Sequence, residues 1–349
     1  MSKNYSIFEY IWIDADGDLR SKTRIFYSND LTYTHNLPIW NFDGSSTKQA
    51  TGNSSDVFLH PKFVCPDPFR KNKHTYLVLC DLYDSNGKPH STNTRVECVE
   101  IEKLAKEHQP WFGIEQEYIV YDAKTNKPYK WLDFQNYNDG NDAIPSMLHQ
   151  EQGPFYCSVG ADRNFCRNIM EEHMLCCIEA GLHIRGTNTE VCPSQNEYQI
   201  GELGLVDIGD QLWMSRYILK RVCENYGCYP VLHPKPMAKW NGSGAHTNFS
   251  TKKIREENQV CGPATIEACE KLKNRHKEHI AVYGNPEENK LRLTGIHETA
   301  NIDVFTYGEA DRGASVRLHS SYKEDRRPPA NCDPYLVCTR IVKTICLDM

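Results

Sequence analysis

The sequence predicts an α+β protein in two parts: a small, mostly β unit at the N-terminus, then a larger part in which helices alternate with strands. Two observations lead there. Up to about residue 90 the apolar segments are short, rich in aromatic and β-branched residues, and separated by turn signals such as Asp14-Ala-Asp-Gly17 and Asn86-Gly-Lys-Pro89. That is strand patterning. From about residue 94, amphipathic segments of helical spacing appear, three of them closed by a glycine, with strand-like stretches between. A chain of 349 residues is long enough for such a division, and the expected domains are 1–90 and 94–349.

In chain order, Tyr5 to Ile13 reads as a strand and Leu19 to Tyr27 as its return, an opening hairpin. The polar run from Asn41 to Asp56 has almost no periodicity and reads as a long loop, a feature more often functional than idle. Val57-Phe-Leu59 and Thr75 to Tyr83 complete the β unit. Arg95 to His108 is an expected helix with Cys98, Ile101 and Ala105 on one face. Further helices are expected at Phe165 to Ala180, Asp210 to Tyr226 and Ala264 to Tyr283, each followed by glycine. Asp333-Pro334 read as N-cap and first residue of a last helix ending near Cys346.

Composition excludes several classes of function. Apolar content of 39% with 25% charged residues is ordinary for a globular protein. A net charge of −6 gives no reason to expect nucleic acid, so anionic ligands would have to be held by local cations. The fifteen cysteines are odd in number and form no C-x-x-C. With no apolar leader at the N-terminus, a reduced, cytoplasmic chain is favoured over a secreted disulfide framework. No stretch approaches eighteen uninterrupted apolar residues, so no membrane span is expected.

The strand Trp111 to Tyr121 carries two acids, Glu115 and Glu117, at i and i+2. That spacing puts both on one face, roughly 6–7 Å apart. Two acids side by side in an apolar strand are either paired rim residues or the wall of a cation site. The rest of the chain favours the second. Glu190, Glu197, His246 and Glu324 also lie in strand-like or glycine-rich context, His246 within Gly242-Ser-Gly-Ala-His-Thr-Asn-Phe. Five glutamates and one histidine, rich in hard oxygen, suit Mg²⁺ or Mn²⁺. Arg292, Arg312, Arg317, Arg326 and Arg327 form a second group. Forked guanidinium donors recognise phosphate and carboxylate, although Arg327 alone reads as a solvated surface residue. Acids for metal beside arginines for anions is the composition expected for phosphoryl transfer from a metal-bound nucleotide. No Walker A and no G-x-G-x-x-G is present.

Seven segments carry a resemblance to a known family: Trp40 to Thr47, Trp111 to Tyr118, Gly160 to Asp162, Gly186 to Asn188, Trp240 to Ser250, Arg292 to Asn301 and Glu324 to Pro328. Along nearly its whole length the chain resembles a eukaryotic-type (type II) glutamine synthetase. The resemblance implies an N-terminal β-grasp domain and a C-terminal glutamine synthetase/guanido kinase-like catalytic domain. It also implies a homodecamer of two pentameric rings, with each site completed by the small domain of a neighbour. Position by position, Glu115, His246 and Glu324 resemble the ligands of a metal at the nucleotide phosphates. Glu117, Glu190 and Glu197 resemble those of a metal near glutamate. Arg312 and Arg317 match arginines at the transferring phosphoryl group. Arg292, Arg312 and Arg326 match those that hold substrate, with Trp240, Asn241 and Gly242. The nucleotide-binding set is Glu115, Glu197, Tyr198, Gln199, Ile200, Gly201, Glu202, Asn248, Phe249, Ser250, Arg312, Arg317 and Tyr322. Asp43 and Glu298 match acids that draw in ammonium and take its proton, and Asn289 to Ile302 is the expected lid.

The implied activity joins ammonia to L-glutamate at the expense of ATP, through γ-glutamyl phosphate, with two or three Mg²⁺ or Mn²⁺ per site. Two other readings stand beside it, a ligase for a larger amine and a non-catalytic oligomer on the same fold. The match at Asp43 and Glu298 speaks against the first, and the full set of six ligands and four arginines against the second. Three departures from the family pattern are visible. Only six residues separate Arg317 from Glu324, so the nucleotide-side loop is expected to be short. Phe155 and Asn196 stand where a tyrosine and a tryptophan are expected.

Overall fold

The structure, a computed structural model, describes residues 5–27, 37–70, 74–131 and 153–349. The chain divides into two compact units, residues 1–99 with 176–182, and residues 100–175 with 183–349.

The first unit is built on five strands, β1 (Tyr5–Ile13), β2 (Leu19–Tyr27), β3 (Trp40–Asp43), β4 (Asp56–Pro66) and β5 (Thr75–Tyr83). They lie in the order β2-β1-β5-β4-β3. The opening hairpin has the expected bounds. Its turn is tied by Asp14, whose carboxylate accepts from the amides of Asp16 and Asp18 and from Arg20 Nε at 2.7 Å, while Gly17 takes the left-handed φ of 78° that the turn requires. β1 also pairs in parallel with β5, Tyr10 opposite Val78. Alternation along β1 puts Phe8, Tyr10 and Trp12 on one face, where they meet Phe42, Val57, Leu59 and Leu82 in the core of the sheet.

The polar run 41–56 is more ordered than its composition suggests. Residues 40–43 pair as β3, and Gly44–Thr47 forms a 3-10 turn capped by the Asp43 side chain. Gly44 is needed there, because a Cβ would lie 2.6 Å from Val57 Cγ2. The short strand expected at Val57 runs on to Pro66. A register shift between Pro61 and Phe63 interrupts its alternation and hides its length in the sequence.

The second unit carries a nine-stranded sheet. Its main path contains β6 (Trp111–Asp122), β8 (Ile184–Thr189), β9 (Gln195–Leu203), β11 (Ala245–Ser250), β12 (Tyr307–Glu309), β13 (Val316–Leu318) and β14 (Lys323–Asp325). The order is β12-β13-β14-β11-β6-β9-β8, and β7 (Lys127–Pro128) and β10 (Cys228–Val231) pair with the far end of β6. β6 is therefore central, with antiparallel β11 and β9 on either side. Among the described residues the α-helices are α1 (Arg95–Leu104), α2 (Arg167–Glu179), α3 (Leu205–Asn225), α4 (Lys252–Glu257), α5 (Pro263–Asn274), α6 (His276–Val282), α7 (Pro286–Arg292) and α8 (Pro334–Cys346).

α3 packs on β6, β9, β10 and α8. Gln116, between the two acids of β6, faces α3 and accepts from both Nε (2.9 Å) and Nη2 (2.7 Å) of the buried Arg216. α3 begins five residues before the expected Asp210. Its N-cap is Gly204, without a side-chain cap, and Glu102 accepts from the Val206 amide instead, so no local sequence signal marks the start. The helix expected over 264–283 is two helices that meet at Arg275, whose φ of −112° ends one and begins the next. The last helix starts as expected, Asp333 accepting from the Tyr335 amide at 2.9 Å.

Arg327 corrects an expectation. It is fully buried, not solvated, and its guanidinium grips Asp325 through Nε (2.9 Å) and Nη2 (2.7 Å). Tyr283 donates to the same carboxylate at 2.8 Å, and His276 Nδ1 lies 3.0 Å from Arg327 Nη1. Extended chain at β14 sends alternate residues to opposite faces. Glu324 and Arg326 face the site, so Asp325 and Arg327 face the helices.

Candidate active site

The register of the sheet assembles the site. β11 lies antiparallel to β6 with His246 opposite Glu115, and β9 places Glu197 opposite Glu117 and Gln199 opposite Glu115. β14 then pairs Glu324 with Asn248. Four adjacent strands thus send acids and a histidine to one face. His246 Nδ1 lies 3.5 Å from Glu115 Oε2, 3.6 Å from Glu324 Oε1 and 3.9 Å from Glu117 Oε1. One ligand atom from each of Glu115, His246 and Glu324 falls within 4.8 Å of the others. Burial, helped by the charge of Arg326, pushes the His246 pKa well below its ordinary value, so the ring is neutral with a lone pair to offer. Burial works to raise Glu324, but the His319 ring beside it, the His246 ring and the charge of Arg326 leave its pKa below the ordinary value.

Glu117, Glu190 and Glu197 line the same cavity. Burial pushes their pKa values up to about 7, 8 and 9, and each acid's neighbours add to the rise: Glu115 for Glu117, Glu117 for Glu190, Glu115 and Glu117 for Glu197. The side-chain amides of Asn188 and Gln199 hold two of these acids apart. Asn188 donates to Glu190 at 2.9 Å, Gln199 donates to Asn188 at 2.8 Å, and Gln199 also donates to Glu197. Carboxylates this crowded are stable as anions only beside cations that the chain does not itself supply in sufficient number. Two carboxylates and a neutral imidazole at one end, and three acids at the other, fit divalent cations of the hard, oxygen-seeking kind.

The raised pKa values have a measurable consequence for protein stripped of divalent cations. These acids bind protons more tightly folded than unfolded, so their contribution to stability is complete below about pH 4.5 and is lost as pH rises through about 7 to 9. Glu197→Gln removes one of them. In thermal melts with chelator present, the variant is expected to be more stable than wild type at pH 8.5, by about 1–3 kcal/mol, and equal to it at pH 5. Added Mg²⁺ should remove the difference. Parallel pH dependence in the two proteins would refute this account.

The cavity has a volume of about 600 Å³, and Glu298, Arg312, Arg317 and Arg326 complete its wall with the six groups above. Arg326 Nη1 donates to Glu324 at 2.5 Å and its Nη2 reaches the Glu298 carbonyl at 3.3 Å. Glu298 and His297 both take left-handed φ, 60° and 54°, in the segment that follows α7. That segment is pinned at its base where Ile302 donates to the Leu293 carbonyl at 3.0 Å. A side recess is lined by Asn241, Gly242 and Arg292. Burial presses the Arg292 pKa down to about 10, and its guanidinium donates to the Arg326 carbonyl at 2.7 Å. The glycines beside it are required for space, since a Cβ on Gly242 would meet Arg292 Cγ at 2.6 Å.

A second cavity, of about 470 Å³, is lined by Gln199, Ile200, Gly201, Glu202, Asn248, Phe249, Ser250 and Tyr322. Three expected site residues lie elsewhere. Tyr198 points to the opposite face of β9, buried and bonded to Ser215 at 2.7 Å. The Trp240 ring joins Phe155 and Trp131 in an aromatic cluster. Asp43 belongs to the first unit, where Ser45 and Ser46 bond its exposed carboxylate and hold its pKa down at about 2. Three contributors carry no role in the sequence reading. Asn188 stood in a motif without a role, and Trp111 with Arg255 stacked 3.8 Å above its ring forms part of the second cavity's wall.

The catalytic-domain model of glutamine synthetase matches residues 96–346, and the glutamine synthetase beta-Grasp model matches residues 4–85. The chain belongs to the glutamine synthetase family. It is an enzyme, a ligase of glutamine biosynthesis, with an N-terminal β-grasp domain and a C-terminal catalytic domain in an α+β fold. It is 46% identical to a glutamine synthetase of Tuber borchii over 99% of this chain and 93% of the relative. Against a glutamine synthetase of Agaricus bisporus the figures are 47%, 97% and 93%. Against a putative glutamine synthetase of Acanthamoeba polyphaga mimivirus they are 45%, 98% and 94%. Among the described residues no helix is long and apolar enough to cross a membrane.

Proposed function

We propose that the protein ligates ammonia to L-glutamate with ATP, through γ-glutamyl phosphate, giving glutamine, ADP and phosphate. The observation that carries this reading is the convergence of a Glu115, His246 and Glu324 cluster, a crowded acidic trio and three arginines on one cavity. Glu115, His246 and Glu324 would hold one Mg²⁺ or Mn²⁺, and Glu117, Glu190 and Glu197 a second. When bound, these ions offset the negative charge of the nucleotide's phosphates.

Everything else falls to the chain. The second cavity, from Gln199 to Glu202 and Asn248 to Ser250 with Tyr322, receives the nucleotide and points its phosphates at Arg312 and Arg317. Arg292, Arg326 and the backbone at Asn241 and Gly242 hold glutamate in the side recess. The γ-carboxylate oxygen bonds to the terminal phosphorus and ADP leaves. Arg312 and Arg317 stabilise the charge that builds on the equatorial oxygens. Ammonia then attacks the acyl carbon and phosphate departs. Glu298 attracts ammonium and takes the proton it sheds, joined by Asp43 from the small unit of a neighbouring copy in a decamer of two five-membered rings. The segment from Asn289 to Ile302 closes over the acyl phosphate, which water would otherwise hydrolyse. Fifteen free thiols support a reducing, cytoplasmic setting.

The test is phosphate release from ATP with Mg²⁺, omitting glutamate and ammonia in turn. Release that requires both, with glutamine as product, is expected. Release with glutamate and a polyamine but not with ammonia, or none at all, would overturn the reading.

A further inference from the structure

The turn between β13 and β14 holds a histidine with no role in the scheme above. The His319 amide donates to the Tyr322 carbonyl at 3.2 Å, and the buried Lys323 amine donates to the carbonyls of His319 and, at 2.9 Å, of Tyr322. The four residues of the turn are thereby clamped. The His319 ring stacks on that of Tyr322, centroids 4.3 Å apart and planes 12° from parallel. Stacking sets the direction of Nε2, which is buried, has no hydrogen-bond partner and lies 3.6 Å from Glu324 Oε2.

The two oxygens of Glu324 meet different groups. Oε1 accepts from Arg326 at 2.5 Å and lies 3.6 Å from His246 Nδ1. Oε2 faces His319 Nε2 and Arg317 Nη1, the latter at 3.4 Å. A carboxylate rotates in a broad, shallow well about its last torsion, and a ligand carboxylate keeps its bearing only when its other oxygen is held. Arg317 lines the cavity and would turn to a phosphoryl group when one arrives. His319 stands outside that lining and has no such competing partner.

We propose that His319 is a positioning residue for Glu324: its Nε2–H donates to Oε2 and so keeps Oε1 directed at His246 and the cation between them. This rests on the assignment of Glu115, His246 and Glu324 to a cation. The test is titration of Mn²⁺ into the full-length protein, following the paramagnetic resonance signal of free Mn²⁺. Wild type would be compared with His319→Ala, His319→Gln, His319→Asn and Glu115→Ala. Alanine should weaken Mn²⁺ binding by about 10–100-fold. Glutamine, whose amide reaches the place of Nε2, should restore most of it, and asparagine, which mimics Nδ1, should not. Unchanged affinity in His319→Ala, or equal rescue by asparagine and glutamine, would overturn the role of His319. If Glu115→Ala binds Mn²⁺ like wild type, the cation assignment itself fails; if only Glu115→Ala is impaired, that assignment stands and His319 alone is excluded.

Discussion

Glu115→Ala should abolish turnover, with a loss on the order of 10³-fold or more, while the protein folds and assembles normally. The side chain points into the cavity, where it meets His246 at 3.5 Å and accepts from Asn248 at 2.9 Å. Its removal leaves His246 and Glu324 as two of the three proposed ligands. The sheet loses only the side-chain bond from Asn248, and the helix layer keeps its contacts, because the opposite face of β6 is carried by Gln116 and Arg216. Removing one of several crowded acids also relieves repulsion on Glu117 and Glu197, so the melting temperature without metal should not fall. Steady-state phosphate release and light scattering of the assembled protein test the two halves. Near-normal turnover would remove Glu115 from the cation site.

Arg327→Met should act in the opposite sense, on stability before chemistry. The pair with Asp325 is fully buried, and breaking one side of such a pair strands the other. The expected cost is about 3–5 kcal/mol, read from the midpoint of urea denaturation. Adding Asp325→Asn to the same chain should recover part of it, because the stranded charge is then gone. A loss below about 1 kcal/mol would place the pair among surface ion pairs in effect, contrary to its burial.

Much of the fold was legible because it rests on local patterning. The opening hairpin, β5 and the Asp333 cap each follow from a turn residue or an alternation that neighbouring residues alone determine. What failed was where a distant residue substitutes for a local signal. Glu102 caps α3 from far along the chain, and a bulge at Pro61 breaks the alternation of β4. At the candidate site, the spacing of Glu115 and Glu117 was enough to place both on one face. Their partners could not be read that way, since the meeting of His246 with Glu115 is set by the register of β11 on β6. Arg327 was misjudged for the same kind of reason. In a run of charged residues it reads as a solvated loop arginine, whereas strand alternation sends it with Asp325 to the buried side, away from Glu324 and Arg326.

The hairpin at 316–325 also decides where this chain can gain or lose residues. β14 is locked in phase by its pairing with β11 as well as with β13. A change of length in the turn 319–322 therefore leaves the register of β14 in place, although it would move His319 and Tyr322. A deletion inside 323–327 has no such freedom. Shifting that stretch by one position exchanges its two faces, turning Asp325 and Arg327 towards the cavity and pressing Glu324 and Arg326 against the helices. Variation in length is thus confined to one side of Lys323, and the boundary between the two regimes is a single residue wide.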